Sequence, residues 1–189
     1  MDDLIENVQQ FDQFSEEELA ALSAIARPKQ LAKGDYLLKE GQVSQEIVYV
    51  RQGLLMHYTN NDGESVPCDF ATEGEWVAHL KSFSSGQPSE INIIAQEDSL
   101  VYAFSRDNLQ SLFQAYPRFM ALQNHQVEQA FISTSEHASN LATLTAQQRY
   151  HWLVKQKPQL VQRIPQYYLA AYLGIKPQSL SRIRKNLQM

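Results

Sequence analysis

Apolar and polar positions alternate with different periods along the chain, and the changes of period divide it. Leu4, Ile5, Val8 and Phe11 recur at helical spacing. Ser15 with Glu18 three residues on forms a capping box, and Leu19, Leu22 and Ile25 follow on one side of the helix it opens. Residues 1–27 are therefore predicted helical, with Pro28 closing them. From 29 to 105 the pattern becomes short β-rich runs between glycines: Tyr36–Leu38, Ile47–Val50, Leu54–Tyr58, Ile91–Ile94 and Leu100–Phe104. Asn60-Asn61-Asp62-Gly63 reads as a hairpin turn. Strands this short and this regularly spaced argue for a sandwich or jelly roll, not a parallel sheet.

The helical period returns over 106–141, which hold no glycine. Met120, Val127, Thr134 and Leu141 are spaced by seven, with Ala130 and Leu144 between the heptad steps, and Gln123 and His137 interrupt the pattern. Such a stripe is either the seam of a two-helix coiled coil or the buried side of a helix packed on its own domain. Thr145 and Gln148 form a second capping box. Tyr150, Leu153 and Val154 give the new helix an apolar face, and Pro158 is expected to end it.

Charge sharpens this division. The 189 residues hold 21 acidic and 16 basic side chains, net −5. Every acidic residue lies at or before Glu136. Residues 146–189 carry eight basic side chains (Arg149, Lys155, Lys157, Arg163, Lys176, Arg182, Arg184, Lys185) and no acidic one, which leaves −13 on the rest. A basic module on an acidic body points to a polyanionic partner, nucleic acid first.

Within that module Leu169, Ala170, Leu173, Gly174, Ile175, Leu180 and Ile183 follow the spacing of a helix-turn-helix. Ala170 is small where two helices would cross, and Gly174 suits a turn that needs positive φ. Pro165 and Pro177 suit first helical turns. The second helix, about 177–187, would turn Leu180, Ile183 and Leu187 inward. Gln178, Ser181, Arg182 and Lys185 would face outward. Gln178 and Arg182 have the geometry to read adenine and guanine edges. Lys176, Ser179, Ser181 and Lys185 suit phosphates. Arg184 is open between a phosphate contact and a helix-end charge.

Other chemistry finds little support. The five histidines (His57, His79, His125, His137, His151) form no His-x-His or His-x3-His pair, so no metal site is expected. Cys68, the single cysteine, reads as a small core residue, and Trp76 and Trp152 as core aromatics. There is no phosphate-loop motif and no defensible catalytic triad, so no enzyme is expected. The acidic N-terminus lacks the marks of a secretory signal, and a cytoplasmic protein without a cofactor is the expectation.

The combination of a glycine-punctuated β-roll, a long helix and a helix-turn-helix resembles the Crp/Fnr family of bacterial transcription regulators. It is carried by Lys39-Glu-Gly-Gln42, Tyr49-Val-Arg-Gln-Gly53, Asn61-Asp-Gly-Glu64 and Gly174-Ile175…Ser179-Leu-Ser-Arg-Ile-Arg184. The resemblance implies an α+β fold. A double-stranded β-helix (jelly roll) sensor with flanking helices would occupy 1–115, a dimerisation helix 116–144 and a DNA-binding helix-turn-helix domain 145–189. It implies a homodimer on a double-stranded operator, with a small-molecule effector and RNA polymerase as further partners. The rival reading is a sensing or interaction module whose helix-turn-helix never meets DNA.

Two departures from the family matter. Cyclic-AMP-binding members carry a Gly-Glu-Leu segment and, ten residues after the glutamate, an Arg-Ser pair that holds the phosphate. Here Ala78-His79-Leu80 and Ser89-Glu90 fall at those places, and no basic residue lies between 82 and 105. Cyclic-nucleotide binding is therefore not expected, and Trp76 or Phe83 is expected to fill the cavity. The candidate pocket is Trp76, His79, Ser89 and Glu90, with Thr134-Ser135 at the place of an adenine-contacting Thr-Ser pair. The second departure is the wing: only Gln188 and Met189 follow Leu187, so no β-hairpin wing is expected.

Overall fold

The computed structural model describes residues 1–187, with the side chain of Leu187 outside the description along with Gln188 and Met189. Two helices, α1 (Asp2–Phe11) and α2 (Glu16–Ile25), open the chain. The capping box forms as read: Ser15 Oγ accepts from the Glu18 amide, and Glu18 accepts from the Ser15 amide. Eight strands follow: β1 (Arg27–Leu31), β2 (Tyr36–Leu38), β3 (Glu46–Gln52), β4 (Leu55–Asn61), β5 (Glu64–Ala71), β6 (Trp76–Val77), β7 (Asn92–Ala95) and β8 (Ser99–Ser105). The short α3 (Leu80–Ser85) lies between β6 and β7. Then come α4 (Arg106–Ala115), α5 (Arg118–Thr143), α6 (Ala146–Gln156), α7 (Pro158–Arg163), α8 (Gln166–Tyr172) and α9 (Pro177–Leu187).

The strands make two four-stranded sheets, ordered β1-β8-β3-β6 and β2-β7-β4-β5. An antiparallel sandwich results, and every strand contributes to the aliphatic core between its sheets: Leu31, Leu38, Val48, Val50, Leu55, Ala71, Val77, Ile93, Ala95, Val101 and Ala103. Register decides which residues those are. Val48 opposes Ala103 and Val50 opposes Val101, while the intervening Tyr49 opposes Tyr102. Alternation sends the aliphatic pairs inward and the aromatic pair outward. There Tyr49, Tyr102 and Phe104 pack with Leu4, Val8, Phe14, Leu22, Leu109, Leu112 and Phe119 of the helices. Both faces of β3 and β8 are thus covered.

The hairpin turn is built as its sequence required, with Asp62 and Gly63 at φ 49° and 84°. The region 106–141, read as one helical stretch, is two helices broken at Pro117. Pro158 ends α6 as expected, with Gln156 the last helical residue and Lys157 its C-cap. The same proline supplies the first residue of α7, where its missing N–H costs nothing. Cys68 is exposed and not part of the core.

The chain divides into two compact units, Met1–His57 with Phe70–Glu128, and the hairpin Tyr58–Asp69 with the residues from Gln129 on. Among the described residues no helix is long and apolar enough to cross a membrane.

Gly53, between β3 and β4, has φ 110°, and a Cβ there would stand 2.7 Å from the Ser99 backbone and 2.1 Å from its Oγ. Gly53→Ala is expected to lose at least about 3 kcal/mol, since strain and overpacking add. Urea unfolding of the two proteins measures it.

Candidate functional site

In the second unit, α8 ends in a Schellman motif. The Ile175 amide reaches the Ala170 carbonyl at 3.0 Å and the Gly174 amide the Ala171 carbonyl at 2.9 Å. Gly174 sits at φ 65°, the left-handed geometry that the motif demands. A Cβ there would also press on Leu141 Cδ2 at 3.2 Å. Lys176 then opens α9, its carbonyl accepting from the amides of Ser179 and Leu180. Leu169, Ala170, Tyr172, Leu173 and Leu180 are buried, which fixes how the two helices pack. Ile183 is half-buried, and the inward role read for Leu187 lies outside the described side chains.

The outward residues follow from that packing. Lys176, Gln178, Arg182 and Lys185 are exposed, and Ser179 and Ser181 are half-buried beside them. Two of the module's cations are spent internally. Arg149 donates to the carbonyls of Leu173 at 2.9 Å, Leu144 at 2.5 Å and Leu141 at 3.4 Å, joining the ends of α5 and α8. Arg184 turns back from α9: its Nε donates to Tyr150 Oη and its Nη2 to the Val161 carbonyl, both at 3.1 Å. The alternative left open for Arg184 thus closes as neither a phosphate contact nor a solvated helix-end charge. His137 of α5 stacks on Tyr172 of α8 at 4.1 Å, a contact no sequence pattern announced.

In the first unit, His79 and Ser89 come together. His79 precedes α3, and Ser89 follows it in the loop to β7. Backbone bonds from the Gly41 amide to the Ser89 carbonyl (2.8 Å) and from the Ser89 amide to the Gln42 carbonyl (2.7 Å) hold that loop. Ser89 is 3 % exposed. Its Oγ lies 2.7 Å from the Ile91 carbonyl, 3.2 Å from the Ile91 amide and 2.9 Å from His79 Nδ1. The hydroxyl has one proton. Given to the nearer carbonyl, it leaves the oxygen to accept from the amide and from Nδ1–H of neutral His79. Burial holds the His79 pKa below its usual 6.5, ahead of the opposing pull of Glu90.

The other pocket candidates in this unit, Glu90 and Trp76, have partners of their own. Glu90 is exposed and pairs with Lys81 at 2.6 Å, so its charge is neutralised at the surface. Lys81 stands just before the base-free stretch in the sequence, and only the helical turn of α3 brings it back to Glu90. Trp76 opposes Tyr49 across the sheet, and its outward direction follows from that register. Its Nε1 donates to Asn7 Oδ1 at 3.1 Å and its ring meets Phe104. Phe83 is buried in the same helix-side cluster. Neither aromatic fills the space between the sheets, where every core residue is aliphatic. Thr134 and Ser135 are exposed on α5, and Thr134 Oγ1 donates to the Ala130 carbonyl.

Residues 28–116 match the cyclic nucleotide-binding domain family. The structure is similar to the c-di-GMP responsive global regulator CLP of Xanthomonas campestris, with TM-score 0.72, 19% identity and 92% of each chain covered. It is also similar to FixK2 of Bradyrhizobium japonicum, with TM-score 0.76, 17% identity, and 87% of this chain and 85% of that one covered. A third similar structure, from Eubacterium rectale, is classed with the Crp/Fnr transcriptional regulators. Its TM-score is 0.70 at 12% identity, over 93% of this chain and 84% of that one. No curated protein sequence matches the chain significantly.

A histidine held neutral by burial should titrate below 6.5 in the folded protein. Protonation then favours the unfolded chain, so the stability His79 contributes is present above 6.5 and is lost as pH falls through its lowered folded value. A two-dimensional NMR titration of the His79 ring, compared with Ser89→Ala, reads the midpoint. A midpoint at or above 6.5 would contradict the burial argument.

Proposed function

From a chain that carries a cyclic nucleotide-binding domain within the fold shared by the Crp/Fnr regulators, we propose a cytoplasmic, homodimeric, DNA-binding transcription regulator. In this reading residues 1–115 sense, 116–144 dimerise and 145–189 act as a helix-turn-helix domain, the first two resting on a jelly-roll sandwich. The observation that carries it is the outer face of α9. Lys176, Gln178, Arg182 and Lys185 are all exposed there, on a segment with no acidic residue, while Arg184 is tied down inside. In the rival reading the helix-turn-helix packs on a partner and never reads DNA, and a face buried against the body would support it.

The dimer reading rests on α5. Met120, Val127 and Leu141 of the heptad stripe are exposed, as are Phe131 and Ile132. Its buried residues, Phe119 and Leu122, belong to its first turns. An apolar stripe of this length on a helix favours a second copy as cover. The sensor is proposed not to bind cyclic nucleotides. A phosphate entering beside Ser89 would break the His79–Ser89 bond and find no buried cation in return. The His79 resonances should therefore stay in place on titration with cyclic AMP.

Selection from a random DNA pool should return a palindrome with half-sites about 34 Å apart. With roughly 6–8 phosphate contacts per dimer, log K should fall with log salt at a slope of about −5 to −7. Arg182→Ala should cost about 1–3 kcal/mol and relax preference at one base pair per half-site. Lys176→Ala should weaken all sequences alike. An Arg182→Ala protein with undiminished sequence preference would remove that residue from the readout.

Val127→Glu places like charges across the proposed seam and should give a monomer by sedimentation velocity at micromolar concentration, where the parent protein is a dimer. A monomeric parent protein would end the dimer reading.

A further inference from the structure

A hollow in the first unit is lined by neither His79 nor Ser89. It opens between α3, α4 and the start of α5, with a volume of about 310 Å3. Phe83, Leu109, Phe113 and Met120 line it, and the exposed Gln110 lies at its mouth. Among the described residues the only charged group lining it is Arg106. That residue is held in place: its amide donates to the Gln45 carbonyl at 3.0 Å, and its guanidinium lies 4.7 Å over the Phe83 ring and donates to the Phe83 carbonyl. A guanidinium has five N–H donors and no neutral form in this pH range. Among the described residues no carboxylate pairs with Arg106. The result is an apolar hollow with a half-buried, positioned cation that keeps donors to spare.

We propose that this hollow binds a medium-chain carboxylate, its head on Arg106 and its chain against Phe83, Leu109, Phe113 and Met120. The charge selects an anion, and the planar fork of an arginine matches the two oxygens of a carboxylate. The remaining apolar lining selects a hydrocarbon body. Volume sets its length. At about 30 Å3 for each water-sized group, the hollow takes roughly ten heavy atoms, an acid of about eight to ten carbons. The proposal concerns binding alone and stands whether or not α9 reads DNA.

Isothermal titration of the full chain with sodium decanoate, kept below its micellar range, tests it. One site per chain is expected, with a Kd of about 10–500 μM. Decanol and decylammonium should bind at least about tenfold more weakly, because they lack the anion. Arg106→Gln should weaken decanoate binding about tenfold or more, and Arg106→Lys should recover part of it. Gln110→Trp, a change at an exposed position, should block the hollow and leave the melting temperature unchanged. It keeps the test valid if Arg106→Gln does not fold. The proposal is overturned by the absence of a saturable signal up to about 1 mM, by decylammonium binding as well as decanoate, or by binding that Gln110→Trp leaves intact. It is also overturned if decanoate affinity falls as protein concentration rises, since a second copy of the chain would then be the occupant.

Discussion

Strands β3 and β8 must bury both of their faces, and much of the first unit follows from that constraint. Val48, Val50, Val101 and Ala103 turn into the sandwich, while Tyr49, Tyr102 and Phe104 turn out to the helices. Each fully buried side chain of this size is worth roughly 1.5–3 kcal/mol. A slip of one residue would send the aromatics into a space shaped for aliphatics and the valines out under the helices, so the register is strongly specified. The same register directs Trp76 outward, because it sits opposite Tyr49. It also explains why α1, α2, α4 and the start of α5 are needed: an aromatic outer face requires a cover. Arg118 fastens that cover, its Nη2 donating to Asp12 Oδ2 at 2.6 Å and to the Gln13 carbonyl at 3.0 Å.

Arginine placement separates structure from recognition in the second unit. Counted in sequence, Arg149, Arg182 and Arg184 are equivalent positive charges. In the fold, Arg149 satisfies carbonyls at the ends of two helices that would otherwise lack donors. Arg184 does the same for Val161 while its guanidinium lies over the Tyr150 ring at 5.8 Å. Among the described residues Arg182 makes no such commitment, and it remains exposed. The difference is one of helical phase: two residues along α9 turn the side chain by about 200°, from the outer face to the packed one.

Local physics was readable in the sequence, and tertiary decisions were not. Both capping boxes, Ser15 with Glu18 and Thr145 with Gln148, form as their spacing required, since all partners lie within one turn. The turn at Asp62-Gly63 and the positive φ of Gly174 belong to the same class. By contrast β1, Arg27-Pro28-Lys29-Gln30-Leu31, has no alternating pattern. It is a strand because β8 offers it an edge, where Pro28 is tolerated. The two-residue β6 exists only through its pairing with β3. In the candidate pocket, the ten-residue spacing of His79 and Ser89 survived folding because α3 and its loop bring those ends together. Glu90, one residue further, points to Lys81 and the surface.

The two polar features of the first unit are in opposite energetic conditions. At Ser89 the buried hydroxyl already has every partner it can use, so a ligand there must replace bonds before it can add any. Its polar atoms serve the loop between α3 and β7, and the ordinary requirement that buried polar groups be satisfied accounts for them without a ligand. At Arg106 one carbonyl and one ring take part of the guanidinium's capacity, and no carboxylate takes its charge. A cation kept against apolar surface loses hydration that an anion would restore at little cost, since the fold has already fixed the side chain. Preorganisation of that kind is what distinguishes a binding group from a structural one. By that criterion the part of this unit most ready to take a ligand lies on the helix-covered side of the sandwich, outside the aliphatic space between its sheets.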